Sequence, residues 1–331
     1  MLIAHISDTH IRNLKYHYEY RQAFKDLYDK LQDQQPDIIV HTGDIAHTKT
    51  QLSPEYFELT SDFLLSLAEI APLYVILGNH DGNLKNFERQ DAITPIVEAL
   101  QNPNIHLIKN SGEEQVNHEV TLNVLSVFDR ENWVQPSDPS KINIALYHGS
   151  ISGCETGQGF TITHGEDEAS IFTGFDFAML GDIHKRQQMD SEGRVWYAGS
   201  TIQQNFGEGP RKGYLLWNIK SKDDWDIEFH AIHNPRPFMT IRLDQDGNLP
   251  ETHVPRDSYL RVVSGYNLPL IKLRQAVSEA EAKWRPYSIT YVNKGTGGLS
   301  RNQGMLADGR FENLRDIRVQ KEMIEEYLID K

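Results

Sequence analysis

Five short apolar runs, each followed directly by polar side chains, constrain the fold of this chain more than any other feature. The polar segments are Asp8-Thr9-His10, Gly43-Asp44-Ile45-Ala46-His47, Gly78-Asn79-His80-Asp81, Tyr147-His148-Gly149 and Gly181-Asp182-Ile183-His184. Apolar runs of this length are typical of buried strands, and ligand sites in open α/β sheets lie outside the carboxyl ends of the strands. The pattern therefore predicts one shared site of carboxylates, imidazoles and one amide.

Helical periodicity alternates with these strands up to about residue 232. Helices are predicted over about 18–32, 54–68 and 91–100. Ser53 is the expected N-cap of the second helix, because Pro54 follows it at the first helical position. Alternation of strands and helices predicts an α/β fold, with a layered sheet and helices outside.

A second region follows the Pro-rich segment Asn234-Pro235-Arg236-Pro237. Strands and one helix predict a small α+β domain here, over residues 235–312, after a first domain over residues 1–234. Residues 313–331 are predicted to form a C-terminal helix with a partly apolar face.

Composition limits the compartment and the partners. Cys154 is the one cysteine of the 331 residues, so no intrachain disulfide can form, which fits a reducing compartment. No apolar run approaches the ~20 residues of a membrane span. The first strand begins at Leu2, which leaves no room for a signal peptide, and we expect a cytoplasmic protein.

The net charge of −14 argues against a generic nucleic-acid binder. The charge is unevenly distributed, however. Residues 1–234 carry 18 Lys and Arg against 34 Asp and Glu, whereas residues 235–331 carry 15 against 13. Only the second region could attract phosphate by its bulk charge, although solubility alone would also explain the asymmetry.

The side chains of the five motifs suit a pair of divalent metal ions. Two ions about 3.5–4 Å apart can generate a hydroxide nucleophile and stabilise a phosphoryl group, provided that a carboxylate bridges them. Asp44, at the end of a central strand, is the candidate bridge. The other predicted ligands are Asp8, His10 and His184 for the first ion, and Asn79, His148 and Asp182 for the second.

His80 is predicted to face the substrate rather than a metal ion, and to donate a proton to the leaving oxygen or a hydrogen bond to a phosphoryl oxygen. Asp81 is predicted to orient the His80 imidazole. Lys185 and Arg186 stand next to His184 and are candidate substrate-binding residues for phosphate. Simple surface charge is the alternative for both.

In this order, the five motifs resemble those of the calcineurin-like metallophosphoesterase superfamily. Three narrower segments, Gly181–Arg186, Tyr197–Glu208 and Arg236–Phe238, are similar to SbcD-type DNA double-strand-break repair nuclease subunits of phage or bacteria. The resemblance covers residues 1–240 well. It implies a layered β-sandwich flanked by helices with a small α+β capping domain, and it assigns His47 to the positioning of a DNA phosphate.

The resemblance further implies a manganese-dependent nuclease, acting as an exonuclease on double-stranded DNA and as an endonuclease near ends or hairpins. The implied partners are double-stranded DNA ends, an SbcC-like coiled-coil ATPase and a second copy of the chain. One face of the second helix carries Leu59, Phe63 and Leu67. This face could pack on the sheet, or it could form a helix bundle with a second copy of the chain in such a homodimer. Either the helix over residues 313–331 docks the ATPase, or the docking element lies outside this chain.

Two rival interpretations stay open. The chain could be a metallophosphoesterase that acts on nucleotides or phosphoproteins, or a binding module whose site has drifted at Asp182. Much of the family has His at that position. With Asp182 the site holds three carboxylates, which favours manganese or magnesium over zinc and a somewhat alkaline activity optimum. Asp182 could also bind through water, or not at all.

Overall fold

The computed structural model of the chain describes residues 1–86, 88–293, 304–307 and 310–311, the last two ranges as backbone strands. The chain divides into two compact units, Met1–Asn234 and Pro235–Lys331. The C-terminal helix predicted over residues 313–331 lies outside the described residues.

The first unit contains twelve strands and three α-helices among its described residues. The strands are β1 (Leu2–Ile6), β2 (Ile38–His41), β3 (Leu73–Ile76), β4 (Ile105–Ile108), β5 (Gly112–Gln115), β6 (Val120–Leu125), β7 (Ile142–His148), β8 (Phe177–Gly181), β9 (Gln187–Gln188), β10 (Val195–Tyr197), β11 (Gly213–Ile219) and β12 (Trp225–Ala231). The helices are α1 (His17–Gln34), α2 (Pro54–Ile70) and α3 (Thr94–Leu100).

These strands form two six-stranded sheets. The first has the order β12-β11-β1-β2-β3-β4, in which β1 to β4 are parallel and β11 runs antiparallel to β1. The second has the order β5-β6-β7-β8-β10-β9, in which β6, β7, β8 and β10 are parallel. The predicted α/β fold, with layered sheets flanked by helices, is confirmed.

The side chains of β1 pack into two different cores, because successive side chains of a strand point to opposite faces of the sheet. Ile3 packs with residues of both sheets, among them Leu146 and Trp217. Ala4 and Ile6 instead join the core beneath α1 and α2. The central strands β1, β2 and β3 are therefore covered on both faces, which explains their nearly continuous apolar sequences.

Helix α2 begins as predicted, because the Ser53 hydroxyl accepts a hydrogen bond from the Tyr56 backbone N–H at 3.3 Å. Leu59, Phe63 and Leu67 are buried within the core of the unit. Their common face thus packs inside one copy of the chain, and a homodimer would have to use other residues.

The second unit contains β13 (Phe238–Arg242), β14 (Tyr259–Ser264), α4 (Leu270–Trp284), β15 (Ser288–Asn293), β16 (Gly304–Ala307) and β17 (Arg310–Phe311). Strands β13, β14 and β15 are parallel neighbours. Helix α4 covers them with an apolar face that includes Leu273 and Val277. Of all the helices in the described parts of both units, none is long and apolar enough to cross a membrane.

Candidate metal centre

The carboxyl ends of β1, β2, β3, β7 and β8 carry the predicted ligands, and the structure brings these ends together. Asp8 and His10 follow β1, Asp44 follows β2, Asn79 follows β3, His148 ends β7, and Asp182 and His184 follow β8. Each of these seven side chains lies within 4 Å of at least one other. The cluster thus forms where the carboxyl ends of strands from both sheets meet.

Asp8, His10 and His184 form the first group. The Nε2 atoms of His10 and His184 are 2.9 Å apart, and Asp8 Oδ1 lies 3.9 Å from each of them. The three ligand atoms can thus reach one ion. The grouping agrees with the set expected for the first metal ion.

Asp44 lies between this group and the second. Its Oδ2 atom is 3.5 Å from His10 Nε2 and 3.4 Å from His148 Nε2. On the far side, His148 Nε2 is 3.9 Å from Asp182 Oδ1, which also accepts a hydrogen bond from Asn79 Nδ2 at 3.3 Å. The central position of Asp44 is the one that a bridging carboxylate needs.

Among the described residues, three polar atoms of the cluster are buried without a hydrogen-bond partner, namely His10 Nδ1, Asn79 Oδ1 and His148 Nε2. The His148 Nδ1 atom contacts the Thr42 carbonyl at 2.7 Å, so Nδ1 carries a proton, and the neutral form of the ring would present its Nε2 lone pair to Asp44. A lone pair facing a carboxylate is unfavourable unless a cation lies between them. The residues therefore fit a pair of divalent cations.

The electrostatics of the cluster support the same conclusion. Burial, with the neighbouring charges of Asp44 and Asp8, raises the pKa of Asp182 to about 6. Burial also opposes the charged form of His148, but Asp44 outweighs it and raises the pKa of His148 well above its usual value. The clustered carboxylates therefore favour a bound cation, either a proton or a metal ion.

The backbone at four of the seven ligands is in the left-handed region. The φ angles are 49° at Asp8, 47° at His10, 58° at Asp44 and 92° at Asp182. Such conformations cost about 1–3 kcal/mol each for residues other than glycine, and they concentrate at functional sites. Hydrogen bonds between the loops hold this backbone in place, for example from Asp8 N–H to the Gly43 carbonyl at 3.1 Å.

Gly78 and Gly181 are required by close approach of other atoms. A Cβ atom on Gly78 would lie 2.2 Å from Asp44 Oδ1. A Cβ atom on Gly181 would lie 2.2 Å from the Thr42 carbonyl oxygen and 2.8 Å from His148 Nδ1. The glycines of the motifs therefore leave the space in which the ligands meet.

His80 and His47 lie beside His10. The ring centroid of His80 is 4.8 Å from that of His10 and 5.9 Å from that of His47, and His80 Nδ1 contacts the His47 carbonyl at 2.7 Å. Within the described chain, neither ring nitrogen of His47 has a hydrogen-bond partner. Burial, followed by the charges of Arg12 and His80, lowers the pKa of His47 to about 3, so its ring is neutral.

Asp81 has a different role from the predicted one. Its Oδ2 atom accepts the backbone N–H of Asp44 at 2.8 Å and of Gly78 at 2.9 Å, and its Oδ1 atom accepts that of Ala46 at 2.8 Å. The prediction that Asp81 orients the His80 imidazole is wrong, because that ring contacts the His47 carbonyl instead. Asp81 ties the loop after β2 to the loop after β3.

Lys185 and Arg186 have partners outside the cluster. Lys185 forms an ion pair with Glu155, and the guanidinium carbon of Arg186 lies 3.7 Å from the ring centroid of Phe229. None of the contacts described for these two side chains is with the seven candidate ligands. Their role in substrate binding stays a prediction.

Glu208 is a residue of the site to which the sequence analysis assigned no role. Its Oε1 atom contacts His184 Nδ1 at 2.8 Å, and its Oε2 atom lies 2.8 Å from the Lys212 ammonium. The available signal was its position at the end of Tyr197–Glu208, one of the segments that carry the narrower resemblance. Nothing in the local sequence indicates its contact with His184.

Comparison with known proteins agrees with this geometry. Residues 1–186 match the model of the family described as Calcineurin-like phosphoesterase. The chain belongs to this family. The matched residues include all seven candidate ligands together with His47 and His80, whereas Glu208 lies beyond them. Membership places the chain among the metal-dependent hydrolases of phosphoesters.

This calcineurin-like phosphoesterase is also similar to two individual proteins. It is 36% identical over 297 residues to an uncharacterized protein of Acanthamoeba polyphaga mimivirus, a match that covers 85% of the chain and 22% of the viral protein. The chain thus spans about a fifth of that relative's length. A solved structure, the NAD nucleotidase NadN of Haemophilus influenzae, matches with a TM-score of 0.40 and 13% identity over 88% of this chain and 57% of that one.

Proposed function

We propose that this protein is the nuclease subunit of an SbcCD-like DNA recombination and repair complex. In this proposal it is a manganese-dependent double-strand exonuclease and an endonuclease at ends or hairpins. The observation that carries the proposal is the contact between Glu208 and His184, because it makes the segment Tyr197–Glu208 part of the metal centre. The sequence of that segment resembles SbcD-type nucleases.

The proposed partners follow from the same resemblance. They are double-stranded DNA ends, an SbcC-like coiled-coil ATPase and a second copy of the chain. Residues 1–234 would act as the nuclease domain and residues 235–312 as the capping and DNA-binding domain. The lower acidity of residues 235–331 supports that division, since 15 basic residues stand against 13 acidic ones there.

The described side chains suit phosphodiester hydrolysis. Two bound divalent ions would supply a hydroxide and the positive charge that a phosphate needs. The His80 Nδ1 atom is held by the His47 carbonyl, which leaves Nε2 to exchange a proton with the leaving oxygen. The neutral His47 ring can donate one hydrogen bond to a phosphoryl oxygen.

Manganese is the proposed ion, with magnesium as the alternative. Asp8, Asp44 and Asp182 all contribute carboxylates to the cluster. Carboxylate oxygen is a harder ligand than imidazole nitrogen and suits manganese or magnesium better than zinc.

End-labelled linear duplex DNA tests the nuclease proposal. We would incubate it with the protein in manganese, in magnesium and in chelator, alongside His80→Ala and a control variant, His118→Ala. His118 is suitable because its side chain is 88% exposed and has no place in the cluster. Cleavage that needs manganese and His80, but not His118, is the expected result. Absence of cleavage by a manganese-loaded protein, with and without an SbcC-like ATPase, would overturn the proposal.

A second candidate function is hydrolysis of nucleotides or phosphoproteins. The acidity of the chain favours it, because residues 1–234 carry 34 acidic residues against 18 basic ones and would repel a long polyanion. Turnover of a nucleoside monophosphate or a phosphopeptide, with none of duplex DNA, would establish this function instead.

A further inference from the structure

We propose that Glu208 and Lys212 form a buried clamp that positions His184 and sets the affinity of the metal ion bound beside it. The inference rests on the metal-dependent function proposed above. It assigns a positioning role to two side chains that are not themselves candidate ligands.

Glu208 gathers donors from four residues around it in addition to Lys212. Its Oε1 atom contacts His184 Nδ1 at 2.8 Å and accepts from Asn205 Nδ2 at 3.1 Å. Its Oε2 atom accepts from the Ser200 hydroxyl and from the Gln204 backbone N–H, both at 3.2 Å. The side chain of Glu208 is 4% exposed, so solvent screens these contacts little.

Lys212 holds the same histidine at a second point. Its ammonium group donates to the His184 backbone carbonyl at 2.6 Å and lies 2.8 Å from Glu208 Oε2. The Lys212 side chain is 8% exposed. His184 is therefore fixed at its backbone by Lys212 and at its ring by Glu208, and each buried charge compensates the other.

The clamp determines which ring nitrogen of His184 faces the ligand cluster. An ionised carboxylate only accepts hydrogen bonds, so Nδ1 of His184 must carry the proton. The Lys212 ammonium 2.8 Å from Oε2, with the donors of Ser200, Gln204 and Asn205, holds the Glu208 carboxylate in this accepting form. The Nε2 atom, 2.9 Å from His10 Nε2, is the one left for a metal ion.

The two ions should depend on this clamp to different degrees. His148 and His80 direct Nδ1 to backbone carbonyls, those of Thr42 and His47, whereas His184 directs it to a carboxylate. A carboxylate partner raises the basicity of the ligand, and its loss typically reduces metal affinity by about 10–100-fold. The ion beside Asp8, His10 and His184 should therefore be affected, and the ion beside His148 and Asp182 should not.

The test is manganese binding by the full chain, with free Mn²⁺ counted by electron paramagnetic resonance. The main variant is Glu208→Gln combined with Lys212→Met, which removes both buried charges together and avoids leaving one unpaired. Glu208→Gln alone is the second variant, because it preserves the shape of the side chain. Asp176→Asn is the control, because it breaks another ion pair, with Lys222, just before β8, at the end opposite the site.

We expect the wild type to bind two ions and both Glu208 variants to bind one of them about 10–100-fold more weakly. The affinity for the other ion should stay close to wild type in both variants. The unfolding temperature in chelator should stay close to wild type in the double variant, whereas Glu208→Gln alone should lower it because the buried Lys212 ammonium loses its partner. Unchanged affinity for both ions would overturn the inference. The inference would also be overturned if the affinities for both ions fell equally and Asp176→Asn caused the same loss. That result would indicate a general destabilisation of the fold.

The outcomes also separate this inference from the proposed function. If the wild type binds two ions but does not cut DNA, the nuclease proposal is overturned. The effect of the Glu208 variants on manganese affinity can still be measured in that case. A wild type that binds fewer than two ions would overturn the clamp and the metal-dependent function together.

Discussion

Among single residues, Gly78 lies directly against the carboxylate of Asp44. A Cβ atom there would lie 2.2 Å from Asp44 Oδ1 and 2.5 Å from the Asp44 backbone nitrogen. We expect Gly78→Ala to lower the free energy of unfolding by about 1–3 kcal/mol and to weaken manganese binding, because Asp44 must move. Urea unfolding and manganese titration measure both effects. Gly265→Ala is the control, since no atom of the described residues lies within 4 Å of its Cβ position. Equal losses in the two variants would contradict the prediction.

Asp182 is expected to determine which metal ion the site prefers. Its carboxylate contacts both His148 and Asn79 in the cluster. Replacing it in Asp182→His exchanges a hard ligand for an imidazole and raises the net charge of the site, so we expect the preference to move from manganese toward zinc and the pH optimum to fall. Activity over a series of metals and pH values measures the shift. An unchanged metal preference and pH profile would show that Asp182 does not ligate.

Binding of manganese should release protons from the cluster. Burial and nearby carboxylates raise the pKa of Asp182 to about 6, and Asp44 raises that of His148 above its usual value despite burial. Both groups therefore hold protons near pH 6 that a metal ion must displace, and manganese affinity should rise as the pH increases from about 6 to 8. Calorimetry in buffers of different ionisation enthalpy counts the protons released. Asp182→Asn should release fewer, and pH-independent affinity would disprove the prediction.

At the scale of an element, helix α2 stabilises the fold through its buried face. Phe63 is fully buried and its ring centroid is 4.4 Å from that of Phe24 on α1. Phe63→Ala should lower the free energy of unfolding by about 3–5 kcal/mol. The exposed Glu58 on the same helix provides the control, and Glu58→Ala should change stability by less than about 0.5 kcal/mol. Urea unfolding gives both values. An unchanged free energy of unfolding in Phe63→Ala would show that this face does not stabilise the fold.

At the scale of the whole molecule, the two units carry unlike charge. All seven candidate ligands lie in Met1–Asn234, whereas the less acidic residues form Pro235–Lys331. A chain of residues 1–234 should therefore keep manganese binding and hydrolysis of bis(p-nitrophenyl) phosphate, and lose most of its duplex DNA cleavage. Parallel assays on the two substrates measure this. Equal loss on both, or full retention on DNA, would argue against a DNA-binding role for the second unit.

The strand ends, the start of α2 at Ser53 and the seven residues that meet in the cluster could be predicted from the sequence. The common face of Leu59, Phe63 and Leu67 could be predicted too, but not whether it packs inside one copy of the chain. Strand and helix periodicity report which face of each element is buried, and this information is local. It failed at β12, Trp225–Ala231, where no strand was predicted. None of the seven residues of this strand is fully buried, yet Trp225, Ile227 and Phe229 alternate with polar residues, so the period of two was present in the sequence but was not recognised.

The partner of each polar side chain could not be predicted in this way, because it depends on contacts between distant parts of the chain. Asp81 follows His80 directly, yet it binds the backbone of Asp44 and Ala46, because β2 and β3 are neighbours in the sheet. Glu208 meets His184 from 24 residues away. Periodicity fixes how each element is buried, but the partner of a buried polar atom depends on which loops the sheets bring together in space.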